Sequence, residues 1–192
     1  MARNKEYVRD DVLQKAVAVF WTQGYKATSV KDIVAATGLN TASMYKEFGD
    51  KDGVFENALD YYRRNILEPR FRLLRDARGL QGISAFLDSV VAGAMNEGYR
   101  GCLMMNHLAQ KHSISARAAA MIGELITDLE TLLAMAFRTA QVNGELPADK
   151  DPVALASFVM CSVHGLVLYG RHPHRKQQLP RIRDLILHAV AD

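Results

Sequence analysis

The sequence predicts an all-α fold: an N-terminal helix-turn-helix module of three helices, then a larger C-terminal helical bundle, about nine helices in all. Three observations carry that expectation. Nearly every apolar repeat falls at helical spacing, and no stretch alternates convincingly with period two. Glycines and short polar residues stand where successive helices must stop and start. With 5 prolines and 13 glycines among 192 residues, little of the chain is left for long irregular segments. At 49% hydrophobic and 23% charged, the composition is that of an ordinary globular chain, long enough to bury a core.

Val12, Ala16, Val19 and Phe20 share one face of a first helix, which Gly24 ends. Thr28 or Ser29 caps a second helix carrying Val30, Ile33, Val34 and Ala35, closed by Thr37-Gly38. Asn40 or Thr41 caps a short third helix through about Phe48, and Gly49 closes it. Asp50 opens a fourth, whose apolar stripe is Val54, Phe55, Ala58, Leu59 and Tyr62. These elements divide the chain into residues 1–50, the helix-turn-helix domain, and 51–192, the remaining helical domain. Beyond Tyr62 the segment "RRNILEPRFRLLRDARG" carries six arginines and Pro69, which is expected to kink or break its helix. Longer helices follow over roughly 80–97, 102–112, 115–143, 152–170 and 178–191, with loops at 143–152 and 170–180.

The totals exclude several classes of function. A net charge of +3 is mild, so the placement of charge rather than its sum identifies a partner. Cys102 and Cys161 cannot form a disulfide framework and have no CxxC spacing, which favours a reducing interior. The segment "MARNKEYVRDD" lacks the apolar core of a signal peptide, and no window approaches ~18 uninterrupted apolar residues. A cytoplasmic chain without a membrane partner is therefore expected. His172 and His174 are two apart in a proline-containing loop, and His107 and His112 are five apart, so neither pair has the helical spacing of metal ligands. Neither metal nor cofactor is expected. Cys102 with a nearby histidine lacks a third orienting group and a glycine-rich oxyanion loop, so no catalytic residue is assigned and no enzyme is expected.

The segment "TSVKDIVAATGLNTASMYKEFGDKDGVF", from Thr28 to Phe55, points elsewhere. Two helices joined at "TGLN" match a helix-turn-helix, whose second helix enters the DNA major groove with its first residues near base edges. Thr41, Ala42 and Ser43 are small enough for close approach, and hydroxyls contact bases or phosphates. Tyr45 offers a rigid ring whose hydroxyl reaches a phosphate oxygen. Lys46 and Lys51 supply positive charge, and Lys51 stands where the amides of the next helix favour an anion.

The longer stretch "AVAVFWTQGYKATSVKDIVAATGLNTASMYKEFGDKDGVFENAL" resembles the TetR family of bacterial transcriptional regulators. The matching features are the apolar first helix ending in Gly24-Tyr25, "T-S-V-x-D-I", "A-x-T-G-L", "x-M-Y-x-x-F" and "D-K-D-x-V-F". The resemblance implies phosphate contacts from Thr28, Tyr45 and Lys51, and a base-reading face of Thr41, Ala42, Ser43 and Lys46. Asn40, opening the recognition helix, completes the set. Gly38 is implied as the turn residue, with Ile33 and Phe48 in the core. Glu47 departs from the pattern, since many members carry a neutral or basic residue there. An acid facing phosphates weakens binding, so Glu47 either points away or reads cytosine amino groups; pointing away is expected.

The same resemblance implies a C-terminal domain that binds a small-molecule effector, forms a homodimer on a double-stranded operator and acts by default as a repressor. "VALASFVMCSVHGLVLYG" has almost no polar face. It fits a two-fold interface, formed with "RIRDLILHAV" or "ITDLETLLAMAF", and equally a central core helix of one subunit. The effector candidates are Phe86, Val90, Tyr99, Cys102, Met105, His107, Met121 and Leu125, with Met95, Met104 and Leu129 beside them. Methionine suits an adaptable cavity, though such a stripe also fits plain core, and His107 also fits a satisfied structural histidine. Cys102, in "GYRGCLMMNHLAQ", lies near a helix start beside Arg100, where a thiolate is stabilised. A "G-C-L" segment recurs in one branch of the resembled family, so the alternative function is a thiol-based electrophile or redox sensor of the same fold. A small packing residue fits Cys102 as well, and Cys161 reads as inert core.

Overall fold

Local capping decides where the first helices begin. In the computed structural model, which describes residues 8–76, 79–108 and 110–191, the order begins α1 (Arg9–Gln23), α2 (Val30–Thr37), α3 (Thr41–Phe48) and α4 (Lys51–Tyr62). Ser29 and Asp32 cap α2 reciprocally, each side chain taking the other's backbone N–H. Asn40 accepts the Ser43 N–H at 2.8 Å to open α3, and Asp50 accepts the Gly53 N–H at 2.8 Å to open α4. Between α2 and α3 the chain reverses at Gly38, whose left-handed φ of 76° is one that side chains resist.

Six more helices follow: α5 (Glu68–Asp76), α6 (Leu80–Met95), α7 (Leu103–Leu108), α8 (Ala116–Val142), α9 (Pro152–Tyr169) and α10 (Leu179–Ala191). Among the described residues there is no strand. Pro69 does not break its helix as expected. A π turn over Arg63–Leu67 carries α4 into α5 without leaving helical conformation; with those two counted as one element, the described residues hold nine α-helices. Proline cannot donate to the carbonyl four residues back and its ring crowds that carbonyl; a wider turn just before it accommodates both. The expected loop at 170–180 likewise contains a 3-10 turn, Pro173–Gln178.

The chain divides into two compact units, and neither ends at residue 50. The first takes the chain up to Leu67 together with Leu103–Gly123; the second takes Glu68–Cys102 and the chain from Glu124 onward. In the first unit α1 packs on α2 and α4, α3 packs on α4, and α7 lies against α1 and α4. Phe20, Tyr25, Phe55 and His107 form one aromatic cluster, with Phe20 edge-on to Phe55 at 4.8 Å and Phe55 tilted on His107 at 4.9 Å. Three bonds explain why a segment so distant in sequence joins this module. The Tyr25 N–H donates to His107 Nε2 at 3.1 Å, the Leu103 N–H donates to the Tyr62 hydroxyl at 3.4 Å, and Ser115 Oγ donates to Glu56 at 2.8 Å.

In the second unit α6 packs on α5, α9 and α10. Its core includes Ile83, Phe86, Leu87, Leu133, Phe137, Val159 and Leu179. Burying each such side chain contributes roughly 1.5–3 kcal/mol. Glu145 accepts the Leu80 N–H at 2.7 Å, which fixes the start of α6.

Candidate nucleic-acid interface

Helix α3 has a sharp division of faces. Met44 and Phe48 are buried, while Thr41, Ala42, Tyr45 and Lys46 are exposed, Tyr45 by 48%. Residues four apart share a face, so 41 with 45 and 42 with 46 make one outward ridge. Asn40 is exposed at its head, and Ser43 is half-buried with its backbone N–H spent on the Asn40 cap. The ridge offers short side chains, hydroxyls and one cation, the equipment for close approach to a groove.

Glu47 is turned away from that ridge. Arg9 Nε donates to Glu47 Oε1 at 3.2 Å, and the same guanidinium reaches Asn57 Oδ1 at 2.5 Å and lies 5.7 Å over the Phe48 ring. The Glu47 side chain is only 17% exposed. Its charge is balanced by α1 on the inner side of α3, so it does not face cytosine.

Lys51 is placed by a residue that sequence reasoning did not assign to the site. Its Nζ stands 4.2 Å over the ring of Tyr25. The Tyr25 hydroxyl donates to Asp52, and burial together with that bond pushes its pKa well up, so it stays a protonated donor. The signal was the "GY" that ends α1, read only as part of a pattern. At the start of α4 the Asp50 carboxylate already takes the Gly53 N–H, and Asp52 adds a second acid to the same turn. Positive potential there comes from Lys51 itself.

Thr28 is a correction. It is 1% exposed and its hydroxyl donates to the Gly24 carbonyl at 2.7 Å, so here it pins the turn between α1 and α2 and does not present its side chain at the surface. The other seven candidates lie at the surface of the first unit, five exposed and two, Ser43 and Lys51, half-buried.

The effector candidates do not gather in one unit. Phe86, Val90 and Leu125 are buried in the second, where Tyr99 and Cys102 are half-buried. Met105 and Met121 are half-buried in the first. His107, also there, is buried, with Nδ1–H donating to the Leu103 carbonyl at 2.7 Å while Nε2 accepts from Tyr25. Burial lowers its pKa against the opposing pull of the Leu103 bond. It is a neutral structural histidine of the module and has no nitrogen left for a ligand. Cys161 is not core: it is exposed on α9. That helix buries Ala156, Val159, Met160, Val163, Leu166 and Val167, yet also presents Val153, Phe158, Cys161 and Leu168 outward. A helix apolar all round has two apolar faces, and hydrophobicity alone does not say which is inside.

Residues 12–58 match the family described as bacterial regulatory proteins, tetR family, and residues 79–186 match the tetracyclin repressor-like C-terminal domain. The chain is 30% identical to the HTH-type transcriptional repressor ComR of Escherichia coli (strain K12), over 96% of this chain and 90% of ComR. It is 37% identical to the uncharacterized HTH-type transcriptional regulator YezE of Bacillus subtilis (strain 168), over 83% of this chain and 84% of YezE. A cysteine mutant of the TetR family regulator CifR, solved with a 26-bp double-strand operator DNA, superposes with a TM-score of 0.83 at 26% identity, covering 97% of this chain and 99% of that one. With both halves matched, and with α2, Gly38 and α3 in helix-turn-helix geometry, the chain belongs to the TetR family of transcriptional regulators.

Proposed function

We propose that the protein is a dimeric repressor that holds a palindromic operator through α3 of two protomers and releases it when a small molecule binds. The observation that carries this reading is the outward ridge of α3, from which the one acidic side chain has been withdrawn onto Arg9. Thr41, Ala42, Ser43 and Lys46 meet base edges, while Tyr45 and Lys51 meet phosphates. Asn40 caps the helix that presents them. The operator complex of CifR and the repressor activity named for ComR support the same reading.

A single copy of α3 reads one half-site. Two half-sites lie one helical turn apart, roughly 34–36 Å or a multiple of it, and that spacing calls for a pair. The outward face of α9, with Leu168 63% exposed, and Leu185 on α10 supply apolar surface of the kind a second copy covers. At 18 residues α9 is also long and apolar enough to cross a membrane, which a count of uninterrupted apolar residues does not flag. Its packing on α6 and α10 and the family fold favour subunit pairing instead.

The effector acts in the second unit. The chain passes between units at Leu67–Glu68, Cys102–Leu103 and Gly123–Glu124, and the last of these lies inside α8. Those crossings are where a ligand's differential affinity for two conformations reaches the DNA-binding unit. The alternative of a thiol sensor draws no separate support from the half-buried position of Cys102.

Selection of binding sites from a random duplex pool tests this directly. A two-fold symmetric consensus is expected, and Thr41→Ala or Ser43→Ala should relax one position in each half by about 1–3 kcal/mol of discrimination. An unsymmetric or absent consensus contradicts the proposal.

A further inference from the structure

Within the second unit, cations and a phenol come together with no carboxylate partner among the described residues. Tyr99 follows α6 and is half-buried, its ring against the end of α9. A Cβ on Gly170 would stand 2.9 Å from the Ala94 Cβ and 3.3 Å from Tyr99 Cε1, so the missing side chain makes room for that ring. Gly93 does the same for Arg70 of α5, whose Nη2 is 2.5 Å from where a Cβ would stand. Lys176 Nζ lies 5.9 Å from the Tyr99 ring centre while donating to the Asn96 carbonyl at 2.6 Å. The Tyr99 hydroxyl lies within electrostatic reach of the Cys102 thiol, Arg70 and Arg171; burial above all pushes its pKa up to about 12, so it is a donor at neutral pH.

Two arginines of this unit are paired, Arg75 with Glu68 and Arg183 with Asp88. Among the described residues Arg70, Arg171 and Lys176 have no carboxylate partner, and the Tyr99 hydroxyl has no acceptor. Arg70 is half-buried and Arg171 exposed, and the planar fork of a guanidinium suits two oxygens of one carboxylate. We propose that Arg70, Tyr99 and Arg171 form the recognition site for a small carboxylate, and that such a carboxylate is the effector class of this repressor. This rests on the repressor reading above.

Calorimetric titration of the full chain with benzoate and hexanoate tests it, with benzamide, hexanamide and inorganic phosphate alongside. At least one of the two carboxylates is expected to bind and to weaken operator affinity, while its amide does not bind. Tyr99→Phe and Arg70→Gln should each weaken carboxylate binding about tenfold or more, the loss of one charge-assisted hydrogen bond. Arg175→Gln, whose guanidinium lies over Tyr169, should leave it unchanged. If Arg70→Gln does not melt like the parent, Arg171→Gln replaces it. Failure of both carboxylates to bind, equal affinity for amide or phosphate, or unaltered binding in the arginine variant overturns the site. Binding that leaves operator affinity unchanged overturns its role as effector. Operator binding without ligand separates the two readings: if it persists, only the carboxylate site has failed, and if it is absent, the repressor reading has failed.

Discussion

Helix α3 commits Met44 and Phe48 to the core and turns small polar side chains and a lysine outward, whereas α9 buries one apolar face and exposes another. Both are anchored by the same kind of contact, and their partners differ because their uncovered faces differ. A ridge of hydroxyls and a cation suits a phosphate backbone and base edges; Phe158 and Leu168 suit only another apolar surface. The identity of a partner is written in the outward residues, and the inward ones say only that the helix is held.

The comparison breaks most severely if the support of α3 is removed. Phe55→Ala takes away the ring between Phe20, Tyr25 and His107 and should cost about 3–5 kcal/mol in urea unfolding. Loss below about 1 kcal/mol would mean that α3 is held by other contacts. Phe158→Asp with Leu168→Asp leaves α3 intact and charges the outward face of α9. Sedimentation should then report monomer, and operator affinity should fall about a hundredfold or more as two-site binding is lost. A persistent dimer would place the pairing surface elsewhere.

His107 tests whether α7 belongs to the DNA-binding unit. Its folded pKa lies below the value of 6.5 it would have when free, so its contribution to stability is complete above about 6.5 and is lost as pH falls toward the folded pKa. The melting temperature should therefore drop on acidification. His107→Leu, which leaves the Tyr25 N–H without its acceptor, should cost about 1–3 kcal/mol at neutral pH and flatten that dependence. His164, also lowered by burial, retains part of the slope. Glu47→Gln should have the smallest effect, about 0.2–1 kcal/mol for a partly exposed ion pair with Arg9, and no change in selected base sequence. Altered base preference would return Glu47 to the reading face.

What was legible in the sequence was local. The Ser29, Asn40 and Asp50 caps, the Gly38 turn and the inward Phe48 all follow from residues within a turn or two of each other. What was not legible depends on partners far along the chain. Glu47 finds Arg9 38 residues away, and His107 finds Tyr25 82 residues away, which is why the first unit extends past residue 100. Thr28 is expected at a phosphate only through the family resemblance, and the Gly24 carbonyl satisfies its hydroxyl in the interior. Cys161 reads as core because its helix is apolar, and a one-chain pattern does not distinguish core from interface. Arg70 and Arg171 were invisible as a pair because they lie a hundred positions apart; their common neighbour is Tyr99.

The central claim is that α3, Tyr45 and Lys51 grip DNA, and the salt dependence of operator affinity measures it most directly. For Tyr45→Ala combined with Lys51→Ala, affinity should fall on every sequence and the slope of log affinity against log salt should shrink by about one, the contribution of a single lysine–phosphate contact. An unchanged affinity and an unchanged slope in that double variant would contradict the proposed docking outright.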